Sequence, residues 1–122
     1  MELLAATGRQ EEPADAATFD GAATVTRFVS ATPAAAKVYR VRFEPGTRLS
    51  WHTHDAPQIL IVEAGQCEIQ VWGQELALAR PGDVVRIEAG EKHWHGAAAS
   101  GAMTHVAVNL GSHTEWHERV AR

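Results

Sequence analysis

The sequence predicts an all-β domain of short antiparallel strands closed into a sandwich or barrel, and three observations lead there. Turn pairs recur at close intervals: Pro45-Gly46, Ala64-Gly65, Trp72-Gly73, Pro81-Gly82 and Ala89-Gly90. Each supplies the fixed φ of proline or the tolerance of positive φ that tight connections between strands require. The runs between them are rich in β-formers and alternate with a period of two. At 122 residues, 45% of them hydrophobic, the chain can bury one core and needs only one domain.

Taken in order, residues 1–17 mix Ala, Glu, Gln, Pro13 and Asp15 without a period. They are expected to form an N-terminal arm, loose unless a partner subunit orders it, ahead of a domain spanning 18–122. Strands are expected over Thr24–Val29, Lys37–Glu44, Leu49–Thr53, Gln58–Glu63, Gln66–Trp72, Glu75–Ala79, Asp83–Ile87, Lys92–Gly96 and Met103–Leu110. Only the end looks helical. Over His113–Val120, Trp116 and Val120 lie one turn apart, with Ser112 or Thr114 as cap, which predicts a short C-terminal helix bracing the barrel.

Alternation also assigns faces. Tyr39, Val41 and Phe43 point inward while Arg40, Arg42 and Glu44 point to solvent. Gln58, Leu60 and Val62 share a face, and so do Met103, His105, Ala107 and Asn109. His52 and His54 are two apart, so in a strand both imidazoles leave one face and can converge on an ion. Gln58 could add an amide oxygen or merely bond a core group, and His93 belongs to a second cluster about forty positions on. If the first pair points inward, His105 and Asn109 join it in one cavity. His95 would share the face of His93 in a regular strand, but is read as packing or bonding near the rim. His113 and His117 read as solvated, the four tryptophans as packing residues and Cys67 as an inert buried thiol.

Charge excludes several classes. A formal net charge of −4 with scattered Lys and Arg gives no basis for nucleic acid or an anionic membrane as partner. A single cysteine forms no intrachain disulfide, the apolar start Leu3-Leu4-Ala5-Ala6 is short and lacks a basic flank, and no run is long enough to span a membrane. A cytoplasmic protein is expected. The N-terminal edge at Thr24–Val29 would be covered by a second subunit, giving a homodimer or homotetramer.

Gly46, His52, His54, Gln58 and Gly65, followed by Gly82, Gly90 and His93, carry a resemblance to the cupins. The first cupin motif runs G, five residues, H-x-H, three or four residues, E, six residues, G; here Gln58 stands at the acid. In the second motif, Glu88 replaces the proline and Ala97 the asparagine. The phrases Trp51-His52-Thr53-His54, Gly90-Glu91-Lys92-His93-Trp94-His95-Gly96-Ala97 and Ala102-Met103-Thr104-His105 are similar to the small bacterial (R)-mandelonitrile lyase-like cupins, a manganese-binding hydroxynitrile lyase group. The resemblance implies a cupin jelly-roll barrel. It also implies His52, His54, Gln58 and His93 as ligands of a divalent metal, most readily Mn2+ with Fe2+ or Zn2+ possible, and His105 as acid/base. Tyr39, Val41 and Asn109 fall at its substrate-pocket positions.

The residue chemistry agrees with that set. Three neutral imidazoles and an amide leave the full dipositive charge on an ion, a stronger Lewis acid than a site containing glutamate. A histidine titrating near neutrality beside it could take a proton from a substrate hydroxyl and return it. Reversible cleavage of a cyanohydrin, or a related carbonyl addition or elimination, is the expected reaction. A metal-dependent oxygenase and a non-catalytic small-molecule-binding module stay open beside it.

Overall fold

The computed structural model describes residues 1–28 and 36–122, so Val29, the expected end of the first strand, lies outside the described residues. Among the described residues eleven strands follow in order: β1 (Glu12–Pro13), β2 (Ala23–Phe28), β3 (Lys37–Phe43), β4 (His52–His54), β5 (Gln58–Ala64), β6 (Cys67–Val71), β7 (Ala77–Ala79), β8 (Val84–Ile87), β9 (His93–Ala97), β10 (Met103–Asn109) and β11 (Thr114–Trp116). They form a six-stranded sheet in the order β1-β2-β3-β10-β5-β8 and a five-stranded sheet in the order β11-β4-β9-β6-β7, every pairing antiparallel. The all-β antiparallel barrel expected from the sequence is the fold observed. Among the described residues, no helix is long and apolar enough to cross a membrane.

The core lies between the sheets and obeys the alternation. Phe43, Leu60, Val62, Cys67 and Met103 are fully buried, and Val41 and Ile69 nearly so. Burial pushes the Cys67 thiol up to about 12, which makes it the inert residue expected. β9 is buried at every position because it is central in its sheet and its outer face is also covered. There Trp94 donates its indole N–H to Gln70 at 3.1 Å and lies under the Arg48 guanidinium at 4.9 Å. At Gly65 φ is 75°, and a Cβ would run into the Ala102 carbonyl, so both conformation and space demand glycine.

The C-terminal helix is not formed. Thr114–Trp116 is strand β11, paired with β4. An isolated eight-residue helix is marginal in water, whereas the open edge of β4 offers the backbone ready partners. The Asp55 carboxylate accepts from Ser112 N and Oγ and from His113 N, which sets the turn into the strand. The exchange His117 N to Trp51 O and Trp51 N to Glu118 O carries it onward.

Most other strand ends move by one or two residues, and two departures matter for the site and the edge. The strand expected at Leu49–Thr53 begins only at His52. Leu49, Ser50 and Trp51 donate their amides to three separate segments, at His95, Thr18 and Glu118, instead of to one ladder. In the N-terminal arm, Glu12–Pro13 pair with Val25 and Thr24, closing within the chain part of the edge that motivated a partner subunit.

Candidate metal centre and cavity

The ladder brings the histidines together row by row. On the five-stranded sheet, His52 is flanked by Trp116 of β11 on one side and His93 of β9 on the other. His54, two positions along β4, leaves the same face opposite Thr114. The turn before His93 is tied to β4 by Gly90 N donating to the His54 carbonyl at 3.0 Å. Ring centroids of His52 and His93 are 4.2 Å apart, and those of His54 stand 5.0 Å and 5.3 Å from them.

The facing sheet supplies the remainder. On β10, Asn109 lies opposite Gln58 and His105 opposite both Val62 and Val41. Gln58 donates from Nε2 to Asn109 Oδ1 at 2.7 Å, which turns its Oε1 toward His93 Nε2 at 3.3 Å. The amide therefore presents an oxygen to the histidine cluster and spends its N–H elsewhere, as a ligand amide must.

Hydrogen bonds decide which nitrogen each imidazole offers. His52 Nδ1 meets the Ser50 carbonyl at 2.7 Å and His93 Nδ1 meets the Glu91 carbonyl at 2.8 Å. A carbonyl only accepts, and the Glu91 contact is the shorter of the two that His93 makes with oxygen, so each Nδ1 carries the proton and each Nε2 keeps a lone pair; that of His93 faces the Gln58 oxygen across 3.3 Å, as two ligands of one ion would. His54 Nδ1 meets Thr114 Oγ1 at 3.0 Å, and its buried Nε2 has no hydrogen-bond partner. Burial lowers the pKa of His52, His54 and His93, the last to about 4, so these rings are neutral at pH 7. The nearby carboxamide of Gln58 opposes the shift at His54. Neutral imidazoles, two with a lone pair turned to the site and a third whose inner nitrogen is buried and orphaned, fit a divalent metal ion.

His95 departs from expectation. It is 2% exposed, far from a rim position, and its ligand atom lies within 4.8 Å of those of His52 and His93. These three buried histidines can themselves hold a metal ion. The strand alternation that pairs His95 with His93 was the available signal. His95 Nδ1 is also 3.0 Å from His105 Nε2, so one hydrogen bond joins the two rings. The outer nitrogens of that pair, His95 Nε2 and His105 Nδ1, are buried without partners. Burial lowers His105 to about 4, well below the near-neutral titration expected of it, because a fully enclosed imidazole loses the hydration its charge needs. Burial also pushes His95 well below the ordinary histidine value, with repulsion from His105 second.

A cavity of about 300 Å³ opens onto the cluster, its walls including His52, His54, Gln58, His95 and His105. The candidate pocket residues Tyr39, Val41 and Asn109 all line it. So do Trp116, whose ring stands 4.7 Å from that of His52, and Phe19 and Thr18 from beyond the arm. Neither Trp116 nor these two was singled out as a pocket residue, because the cavity is closed by segments remote in sequence. His113 and His117 are exposed, as expected.

Comparison with known proteins adds four findings. The family model described as a cupin domain matches residues 39–109. The chain is 46% identical over 96 residues to (R)-mandelonitrile lyase of Granulicella tundricola, spanning 76% of this chain and 73% of that protein. Among solved structures, a cupin-like protein of Thermotoga maritima matches with a TM-score of 0.86 at 33% identity, covering 96% of this chain and 91% of that one. A cupin-2 domain of Rhodospirillum rubrum matches with 0.76 at 18% identity over 95% and 80%, a likeness of fold alone.

Proposed function

The chain belongs to the cupin family, and on that footing we propose that it is a metal-dependent lyase that reversibly cleaves a small cyanohydrin to an aldehyde and cyanide. The observation that carries this reading is the meeting, in one cavity, of an uncharged ligand cluster and a buried histidine pair placed to move a proton. The likeness to a protein named (R)-mandelonitrile lyase selects the reaction among those such a site could serve.

His52, His54, His93 and the Gln58 oxygen would hold the ion, manganese first among the candidates and iron or zinc open. When bound, it supplies a Lewis-acid centre whose dipositive charge no anionic ligand reduces. The protein's own groups do the positioning. Asn109 holds the Gln58 amide, and Tyr39, Val41 and Ala107 present a largely apolar wall to the substrate's side chain. His105, neutral at pH 7, takes the proton of the substrate hydroxyl into the hydrogen-bonded pair it forms with His95 as the carbon–cyanide bond breaks, and gives it to the departing cyanide, which leaves as hydrogen cyanide; the reverse direction runs the same transfers backwards. A ring with a low pKa is a weak base but gives its proton back readily, which suits a reversible step.

The test is an anaerobic assay of mandelonitrile cleavage on protein stripped of metal and then supplied with manganese, iron or zinc. Cleavage that needs metal but not dioxygen is expected. No turnover of any cyanohydrin with any of the three metals would overturn the reading, and turnover that begins only when dioxygen is admitted would move it to an oxygenase.

A further inference from the structure

The three histidines assigned to the metal are not held alike. His52 and His93 each place Nδ1 on the carbonyl of the residue two positions before them, at 2.7 Å and 2.8 Å. That arrangement is local to each segment and fixes the tautomer, since a carbonyl cannot donate. His54 has no such carbonyl. Its Nδ1 faces the hydroxyl of Thr114 at 3.0 Å, sixty positions away on β11 and directly opposite in the ladder. A hydroxyl both donates and accepts. If Thr114 donates, the proton of His54 sits on Nε2 and blocks the site; if Thr114 accepts, Nδ1 keeps the proton and Nε2 is free. The Nε2 atom is buried and has no hydrogen-bond partner of its own to settle the choice.

We propose that Thr114 is the positioning residue of His54, accepting the Nδ1 proton so that the Nε2 lone pair faces the metal, and that the C-terminal strand is thereby part of the metal-binding apparatus. This rests on the reading of His54 as a ligand. The strand is built to deliver that hydroxyl: Asp55, next to His54, caps the turn at Ser112 and His113, and the bonds between Trp51 and residues 117 and 118 secure its far end. Placing Thr114 thus depends on the residues that flank the first histidine pair on both sides.

The test uses the full chain and zinc or manganese alone, with affinity measured by competition against a chelating dye. Thr114→Val keeps the shape and β propensity but removes the hydroxyl, and Thr114→Ser restores it. Thr114→Val should weaken metal binding 10- to 100-fold, the usual worth of a partner behind a ligand histidine. Thr114→Ser should stay within about threefold of wild type, since the acceptor remains. Nitrogen-15 spectra of the zinc-loaded wild type should show His54 protonated at Nδ1, a readout that depends on no variant. Wild-type affinity in Thr114→Val, an equal loss in Thr114→Ser, or an unprotonated Nδ1 would each overturn the proposal while leaving the metal site standing. If His54→Ala binds as tightly as wild type, the ligand reading fails and takes this inference with it.

Discussion

His52 and His93 on one side of the cluster, and His95 and His105 on the other, are buried to the same degree, none more than 2% exposed, yet they are wired differently. Burial makes all four rings neutral. The first two spend Nδ1 on backbone carbonyls and keep one lone pair each for the site. The second two spend their inner nitrogens on each other and leave an orphaned nitrogen at either end. The difference teaches that burial sets the charge of a histidine, whereas the partner of its second nitrogen sets which lone pair it has left: a backbone acceptor frees one for the site, a fellow imidazole takes it up in a shared hydrogen bond.

Removing the ligands should give the largest effect. His52→Ala, His54→Ala and His93→Ala should each lose metal by roughly 100-fold or more in affinity, and activity with it, because a cavity of three or four ligands rarely retains a dipositive ion when one is gone. Metal analysis after gel filtration checks this, and stoichiometric metal in all three variants would erase the distinction between the two pairs.

Next in size is His105→Ala, which should keep its metal while turnover falls by about 10²- to 10⁴-fold, the range of a positioned general base. Full turnover of mandelonitrile by that variant would place the proton transfer elsewhere.

The shared neutrality has its own signature. His93 and His105 titrate near 4 in the fold, against an ordinary value of 6.5. The unfolded chain therefore takes up their protons first, and the folded state loses stability as pH falls from about 6.5 toward 4, by up to about 3 kcal/mol for each ring. Above about 6.5 their contribution is fully present. Urea midpoints of metal-free protein, measured from pH 7.5 to 4.5, should decline through that window. A flat profile would mean that the rings take up protons in the fold as they do in the unfolded chain. The exposed carboxylates of Asp55 and Glu88, whose pKa values are lowered by hydrogen bonds, act in the same direction but lower in pH.

Gln58→Ala should have the smallest effect, a modest drop in metal occupancy, since a neutral amide oxygen is a weak ligand that water replaces. A loss as large as that of the histidine variants would put Gln58 on an equal footing with them.

Much of this was legible in the residues. The turn pairs and the two-residue alternation specified an antiparallel barrel, and the inward faces of Tyr39-Val41-Phe43 and Met103-His105-Ala107-Asn109 were read correctly. What misled was local likeness. Trp116 and Val120 at helical spacing suggested a helix, but spacing alone says nothing of an open strand edge waiting at β4. Likewise His95 looked like a rim residue because nothing near it in sequence shows that β10 brings His105 within 3.0 Å.

The sequence by itself determined the strand periodicity, the turns, and which histidines share a face, because those depend on backbone geometry within a few residues. Only the tertiary structure decided that His95 is buried against His105, that Thr114 and Trp116 come from the far end of the chain to meet His54 and His52, and that Asn109 aims the Gln58 amide. These depend on which strands become neighbours. The free energy that selects neighbours is that of the two packed sheets as a whole, in which burial of apolar faces and pairing between strands must be satisfied together.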